Sequence, residues 1–373
     1  MYNTMLVNCS GCATPLMLPP GAGSIRCALC HAVTHLSDPR SIPPPHHPPS
    51  SNPAPPPPPS PYNHAPPGLP PNPHGRKRAV IVGISYRFSR HELKGCINDA
   101  KCMRYLLINK FNFPEASIIM LTEEEDRHGP KFPTKNNIRM AMFWLAQGCQ
   151  PGDSLVFHYS GHGSQQRSYS GEEADGFDET LCPLDFETQG MIVDDEINTA
   201  MVRPLPHGVK LHALIDACHS GTVLDLPFLC RMDSMGQYRW EDHRPRSGAW
   251  KGSSGGEVIS FSGCDDHQTS ADTSALSKIT STGAMTYCFI QAIERGHGAT
   301  YGSILTAMRN AIRNVGNEGG GVLGGGVLGG GVTSLVSMLL TGGSLTGLGG
   351  GLKQEPQLTA CEPFDVYTKP FSL

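Results

Sequence analysis

Two short stretches place a nucleophile and a base beside glycine. His162 lies in HYSGHGS (158–164) and Cys218 in DACHSGT (216–222). A thiol and an imidazole held side by side share a proton, which supplies a thiolate for attack on a carbonyl. Backbone N–H groups near Gly163 and Cys218 are placed to hold the resulting oxyanion. From spacing alone, a cysteine after a strand also reads as inert core and a histidine as a hydrogen-bonded structural residue. A second chemistry sits near the amino terminus, where Cys9-x-x-Cys12 and Cys27-x-x-Cys30 are separated by fourteen residues. Two such pairs complete a closed tetrahedral thiolate site, which predicts structural rather than catalytic Zn²⁺. A third is carboxylate chemistry. Glu172, Glu173, Asp175, Asp178, Glu179, Asp185, Glu187, Asp194, Asp195 and Glu196 crowd the interval between His162 and Cys218.

These groups need positions, and the hydrophobic pattern supplies them. Segments 77–86, 117–122, 154–161, 209–218 and 257–264 are apolar, β-branched runs that read as buried strands, with a late strand at 356–362. Helical spacing appears over 96–110, 134–147, 283–296 and 301–314. The alternation predicts an α/β fold with a mostly parallel sheet covered by helices on both faces. In such sheets the working groups gather at the carboxyl ends of the strands, where both SGHG and DACHSG fall.

The organisation along the chain follows composition. Residues 1–40 form a small cysteine-bearing unit. Residues 41–75 hold 17 of the 33 prolines and read as a semi-extended linker, open to a proline-reading partner. Residues 76–234 carry the thiol and imidazole. Residues 235–256 are polar and Gly/Ser-rich, with Arg239, Arg244, Arg246 and Lys251, and read as an exposed connection. Residues 257–373 complete the globular part, with a glycine-rich insertion at 316–351 that repeats GGGVL.

A net charge of −4 gives no basic field for nucleic acid. No run of about 20 apolar residues predicts a membrane span. The start MYNTMLVNCSGC has no basic, signal-like character. Thirteen cysteines over a long chain fit metal ligation and free thiols better than a disulfide framework. Together these predict a cytoplasmic, and also nuclear, monomeric protein.

The segments HYSGHGSQ and DACHSGT, with DGFDET and IVDDEI between them, resemble the metacaspases over about residues 78–373. With the cysteine pairs and the proline tract, the chain is similar to the plant type I members. CSGCATPLMLPPGAGSIRCALC is similar to a plant zinc-finger type of cell-death regulators. The resemblance implies a caspase-like three-layer sandwich preceded by a zinc-binding unit. It also implies a calcium-activated cysteine endopeptidase zymogen using a His162–Cys218 dyad, in a setting of regulated cell death and defence.

Asp216 stands two residues before Cys218, on the same strand face, and Asp99 opens the first helix. As a pocket floor, two carboxylates attract a guanidinium or ammonium and repel an acid. Alternatively, Asp99 caps its helix and Asp216 accepts backbone hydrogen bonds. The resemblance favours the pocket, implying Cys96, Asp99, Ser160 and Asp216 as its residues and cleavage after Arg or Lys.

Charge runs are ordinarily solvated surface. Asp194–Asp195 after a strand differs, because adjacent carboxylates repel unless a cation lies between them, and oxygen donors favour Ca²⁺ over zinc. The resemblance implies Asp178, Asp194, Asp195 and Asp225 as the calcium ligands. An Arg/Lys-specific enzyme is then expected to cut itself in 235–256, at Arg244, Arg246 or Lys251, although any exposed linker carries basic residues. The competing reading is a regulatory scaffold that binds partners through the zinc unit and proline tract and has little protease activity.

Overall fold

The structure is a computed structural model that describes residues 5–8, 15–18, 24–27, 32–35, 77–168, 176–218, 220–233, 235–264, 284–317 and 355–373. The chain divides into two units, Met1–Pro61 and Tyr62–Leu373. The first contains two antiparallel hairpins, β1 (Met5–Asn8) with β2 (Pro15–Leu18) and β3 (Ser24–Arg26) with β4 (Val33–His35). In chain order each CxxC pair falls between the two strands of one hairpin.

The second unit is built on one sheet. Its parallel part comprises β5 (Lys77–Gly83), β6 (Ile118–Thr122), β7 (Ser154–Ser160), β11 (Lys210–Asp216) and β14 (Glu257–Cys264). Three strands add antiparallel: β12 (Phe228–Met232), β13 (Tyr238–Asp242) and β15 (Glu355–Ala360). The spatial order is β13-β12-β15-β14-β11-β7-β5-β6. A smaller antiparallel sheet, β10-β9-β8, is formed by β8 (Gly163–Arg167), β9 (Phe177–Leu181) and β10 (Ile192–Val193).

The pleat sends alternate side chains of β5 to opposite faces, and each face has its own core. Val80 and Val82 pack with Ile138, Ala141, Met142 and Leu145 of α2 (Lys135–Ala146). Ala79 and Ile81 pack with α1 (Cys96–Phe111), α5 (Ala284–Glu294) and α6 (Tyr301–Asn317). Thr134 caps α2, its hydroxyl accepting the Asn137 N–H at 3.3 Å. The two remaining short helices are α3 (Phe186–Gln189) and α4 (Asp194–Ile197). The result is the three-layer α/β arrangement that the hydrophobic periodicity predicts.

Two features depart from expectation. Residues 235–256 are no bare connection, because Tyr238–Asp242 forms the sheet's edge strand. The β8-β9-β10 sheet occupies much of the acidic interval, where solvated charge was expected apart from a strand before Asp194. The glycine-rich insertion, apart from its first residues in α6, lies outside the described residues, as does the proline-rich linker.

Candidate active site

Because β7 and β11 are parallel neighbours, their carboxyl ends meet. Register sets Ser160 beside Asp216 on one side and Gly83 on the other. The chain leaves β7 as Gly161-His162 and leaves β11 as Ala217-Cys218, so base and thiol arise at adjacent strand ends. Gly163 lies against the nucleophile's own backbone: a Cβ there would collide with the Cys218 carbonyl. That close approach is what glycine permits, and it keeps the backbone of Gly163 and Cys218, the expected oxyanion groups, together.

His162 is buried, 3% exposed. Its Nε2 lies 2.8 Å from the His91 carbonyl oxygen. A carbonyl only accepts, so Nε2 carries the proton and Nδ1 keeps its lone pair. Nδ1 is buried and has no hydrogen-bond partner among the described residues. Burial, opposed in part by the His91 carbonyl, holds the imidazole's pKa below the ordinary histidine value. The ring is thus neutral, with Nδ1 able to accept a proton.

Two tyrosines fix its backbone. The His162 N–H donates to the Tyr86 hydroxyl at 3.0 Å, and that hydroxyl donates to the Cys182 carbonyl at 2.5 Å. The Tyr159 hydroxyl lies 3.0 Å from the His162 carbonyl and 2.8 Å from that of Cys182. The Tyr86 ring also packs on the His162 ring at 4.7 Å between centroids. Sequence reasoning missed Tyr86, Tyr159 and the His91 carbonyl. Backbone acceptors and long-range hydroxyl contacts leave no spacing signal.

Beneath the strand ends lie two carboxylates, Asp99 at 3% and Asp216 at 1% exposure. The Ser160 hydroxyl donates to Asp99 Oδ2 at 2.8 Å. The Thr286 N–H, in the first turn of α5, donates to Asp216 Oδ2 at 2.7 Å. Asp99 does not cap α1: the N-cap is Gly95, without a side-chain bond. Burial, then the Asp216 charge, push the Asp99 carboxyl well above the usual range. The same negative field, added to burial, helps push the Cys102 and Cys288 thiols up to about 12. Cys96 is buried at the start of α1, its carbonyl against Gly83. The four residues expected to line a specificity pocket therefore lie close together and buried, with Asp216 accepting a backbone hydrogen bond as the alternative reading anticipated.

The acidic interval sorts itself by partners. Asp185 accepts the Lys135 N–H at 2.8 Å, Glu187 pairs with Arg90, and Glu196 pairs with Arg139. Glu179 accepts from Gln165 at 3.0 Å and from the Thr222 hydroxyl at 2.8 Å. Glu172, Glu173 and Asp175 lie outside the described residues. What remains is Asp178 on β9 with Asp194 and Asp195 at the start of α4. One carboxylate oxygen of each lies within 4.8 Å of the others. Asp194 accepts the Glu179 N–H at 2.8 Å and the Asp195 N–H at 2.7 Å, whereas Asp178 Oδ1 is buried with no hydrogen-bond partner among the described residues. An all-oxygen set with an orphaned buried oxygen fits a hard cation such as Ca²⁺. Asp225, at φ 52°, joins through Lys251, whose Nζ lies 2.5 Å from Asp195 Oδ1 and 2.6 Å from Asp225 Oδ2.

Lys251 corrects one expectation. Its side chain is 2% exposed, so it does not lie on an exposed connection. Arg244 and Arg246 are exposed, with Arg244 clamped on Asp242 at 2.6 Å.

Of the zinc cysteines, Cys27 is described and fully buried. Its N–H donates to the Ala32 carbonyl at 2.8 Å. A buried thiol fits thiolate ligation. Cys9, Cys12 and Cys30 lie outside the described residues.

Residues 77–227 match the metacaspase, peptidase C14 domain, and residues 9–33 match the LSD1 zinc finger. The chain is 74% identical to metacaspase-1 of Arabidopsis thaliana over 99% of its own length and 96% of the relative's. It is 54% identical to metacaspase-2 of the same plant, over 99% of this chain and all of that one. A metacaspase-1 of Cryptococcus neoformans is 40% identical over 64% of this chain and 60% of its own. Among the described residues, no helix is long and apolar enough to cross a membrane.

Proposed function

Because the chain belongs to the metacaspase family of cysteine peptidases, we propose that it is a calcium-activated endopeptidase that cleaves after Arg or Lys through Cys218 and His162. The observation that carries the proposal is the pinned imidazole. With Nε2–H held on the His91 carbonyl, only Nδ1 is left to take a proton, and it is buried beside the strand end that presents Cys218.

His162 Nδ1 accepts the Cys218 thiol proton, and the thiolate attacks the scissile carbonyl carbon. The tetrahedral oxyanion takes hydrogen bonds from the backbone N–H groups of Gly163 and Cys218. Its collapse breaks the C–N bond, with the Nδ1 proton passing to the leaving amine, and leaves a thioester. Water, deprotonated by His162, hydrolyses the thioester and regenerates the thiol. Asp99, held by the Ser160 hydroxyl, and Asp216, held by the Thr286 N–H, with Cys96 buried nearby, support selection of a cationic residue before the cleaved bond. A buried carboxylate pair attracts a guanidinium and excludes an acid.

Asp178, Asp194, Asp195 and Asp225 would hold the calcium, which when bound neutralises their repulsion and orders the turn after Cys218. Cys9, Cys12, Cys27 and Cys30 would hold structural zinc. Self-cleavage is assigned to the exposed Arg244 or Arg246. The setting proposed is regulated cell death and defence in cytoplasm and nucleus, by a monomer with partners at its zinc finger and proline tract.

Matched fluorogenic peptides ending in Arg and in Asp test this, with and without Ca²⁺, on wild type and Cys218→Ala. Turnover of the Arg peptide only, only with Ca²⁺ and only by wild type, is expected. Turnover of the Asp peptide alone would overturn the specificity, and no turnover of either would favour the scaffold reading.

A further inference from the structure

The acidic cluster already contains a cation. Lys251 is a buried ammonium reaching Asp195, 56 residues away in sequence, and Asp225. An ammonium 2% exposed needs close anionic partners to offset its lost hydration, and it has two within 2.6 Å. Its backbone is held as well. The Asn198 side-chain amide donates to the carbonyls of Leu224 (3.0 Å), Asp225 (3.2 Å) and Lys251 (2.7 Å). Three segments therefore meet here: α4, the turn running from Cys218 to Asp225, and the stretch ending at Lys251. Thr222 of that same turn donates to Glu179, the neighbour of Asp178 on β9.

Asp195 belongs both to this ion pair and to the Asp178–Asp194–Asp195 group. A divalent ion drawn into that group meets the buried ammonium across one carboxylate, that of the partly exposed Asp195, and two cations sharing it repel. We propose that Lys251 is an internal counterion of the cluster. Its ammonium and Ca²⁺ compete for Asp195 and Asp225, and metal binding displaces the Lys251 side chain from them. Lys251 thereby sets the calcium concentration at which the turn after Cys218 is organised. Before exchange the ammonium restrains Asp225 with a single charge; after exchange a double charge gathers all four carboxylates. The inference rests on the calcium reading above and deepens it.

Two measurements on full-length protein carrying Cys218→Ala, which prevents self-cleavage, test it. Calcium is titrated calorimetrically into this protein and into its Lys251→Met version. Removal of the competitor is expected to tighten binding at least about tenfold, whereas Lys251→Arg keeps it near the parent value. Equal or weaker binding by Lys251→Met overturns the proposal while leaving the calcium reading intact. Binding by neither protein overturns both.

The second measurement needs no change at Lys251. Amine acetylation by an N-hydroxysuccinimide ester, read by mass spectrometry, is expected to leave Lys251 unmodified without calcium and to modify it at saturating calcium. Continued protection at a calcium concentration shown to saturate the parent contradicts displacement, even where the Met variant fails to fold.

Discussion

Two acidic clusters flank Cys218 along the chain, one through Asp216 and the other through Asp225, and they are balanced differently. Asp99 and Asp216 are met by a serine hydroxyl and a helix N–H. Asp195 and Asp225 are met by the ammonium of Lys251. Hydrogen bonds orient a carboxylate but leave its charge in place, whereas an ammonium cancels it. In the first cluster burial, and after it the charge of the neighbouring carboxylate, raises the Asp99 carboxyl and pushes the Cys102 and Cys288 thiols up to about 12. The second is compensated in part, one ammonium standing against two carboxylates. On the proposed reading, the difference separates a place that receives a cationic side chain from one that exchanges one cation for another.

Neutralising the first cluster gives the largest expected effect. Asp216→Asn should lower kcat/KM on Arg-ending peptides by about 10²–10³, as for truncating one partner of a buried charge pair. Alkylation of Cys218 by iodoacetamide, which carries no cation, should be unchanged. Equal losses in both assays would mean that Asp216 supports the nucleophile rather than the pocket. Asp178→Asn in the second cluster should weaken calcium binding by roughly tenfold or more, because it removes a charged ligand. Peptide preference should not move.

Stability sharpens the contrast with opposite signs. The folded pKa of Asp99 is raised, so the native state holds its proton more tightly than the unfolded chain does. Stability is therefore lost as pH rises through and above the ordinary carboxylate range. Asp99→Asn removes that cost, so at neutral pH its Tm should rise while activity falls. Lys251→Met leaves Asp195 and Asp225 facing each other uncompensated, and its Tm without calcium should fall. Melting curves at pH 7 read both. The same direction of shift in both variants would contradict the comparison.

The smallest expected effect is on pH. His162 acts as a neutral base and burial lowers its pKa, so the acid limb of kcat/KM should lie below the ordinary histidine value of about 6.5. A limb above that value would mean that the imidazole is held charged in the free enzyme.

How much of this the sequence reveals depends on how local the cause is. β5, β7, β11 and β14 each carry their own apolar run, and the glycines beside His162 and Cys218 mark turns at strand ends, so the parallel core and the dyad are legible. The β12–β13 hairpin and the insertion of β15 between β12 and β14 are not, because that pairing is long-range and its segments are short and mixed. Lys251 misleads for the same reason. A lysine in AWKGSSGG reads as exposed linker, and only its distant partners, Asp195 and Asp225, account for its burial. The orienting carbonyl of His91 leaves no side-chain signature at all.

The central claim, a cysteine peptidase whose buried carboxylate pair selects a cationic residue, meets its most direct test in one ratio. That ratio is kcat/KM for two peptides that differ only in ending with arginine or with citrulline, its uncharged isostere, measured with calcium present. A preference for arginine of about 10² or more, collapsing toward unity in Asp99→Asn or Asp216→Asn, is the predicted result. Comparable rates on the two peptides in the wild-type enzyme would contradict the account.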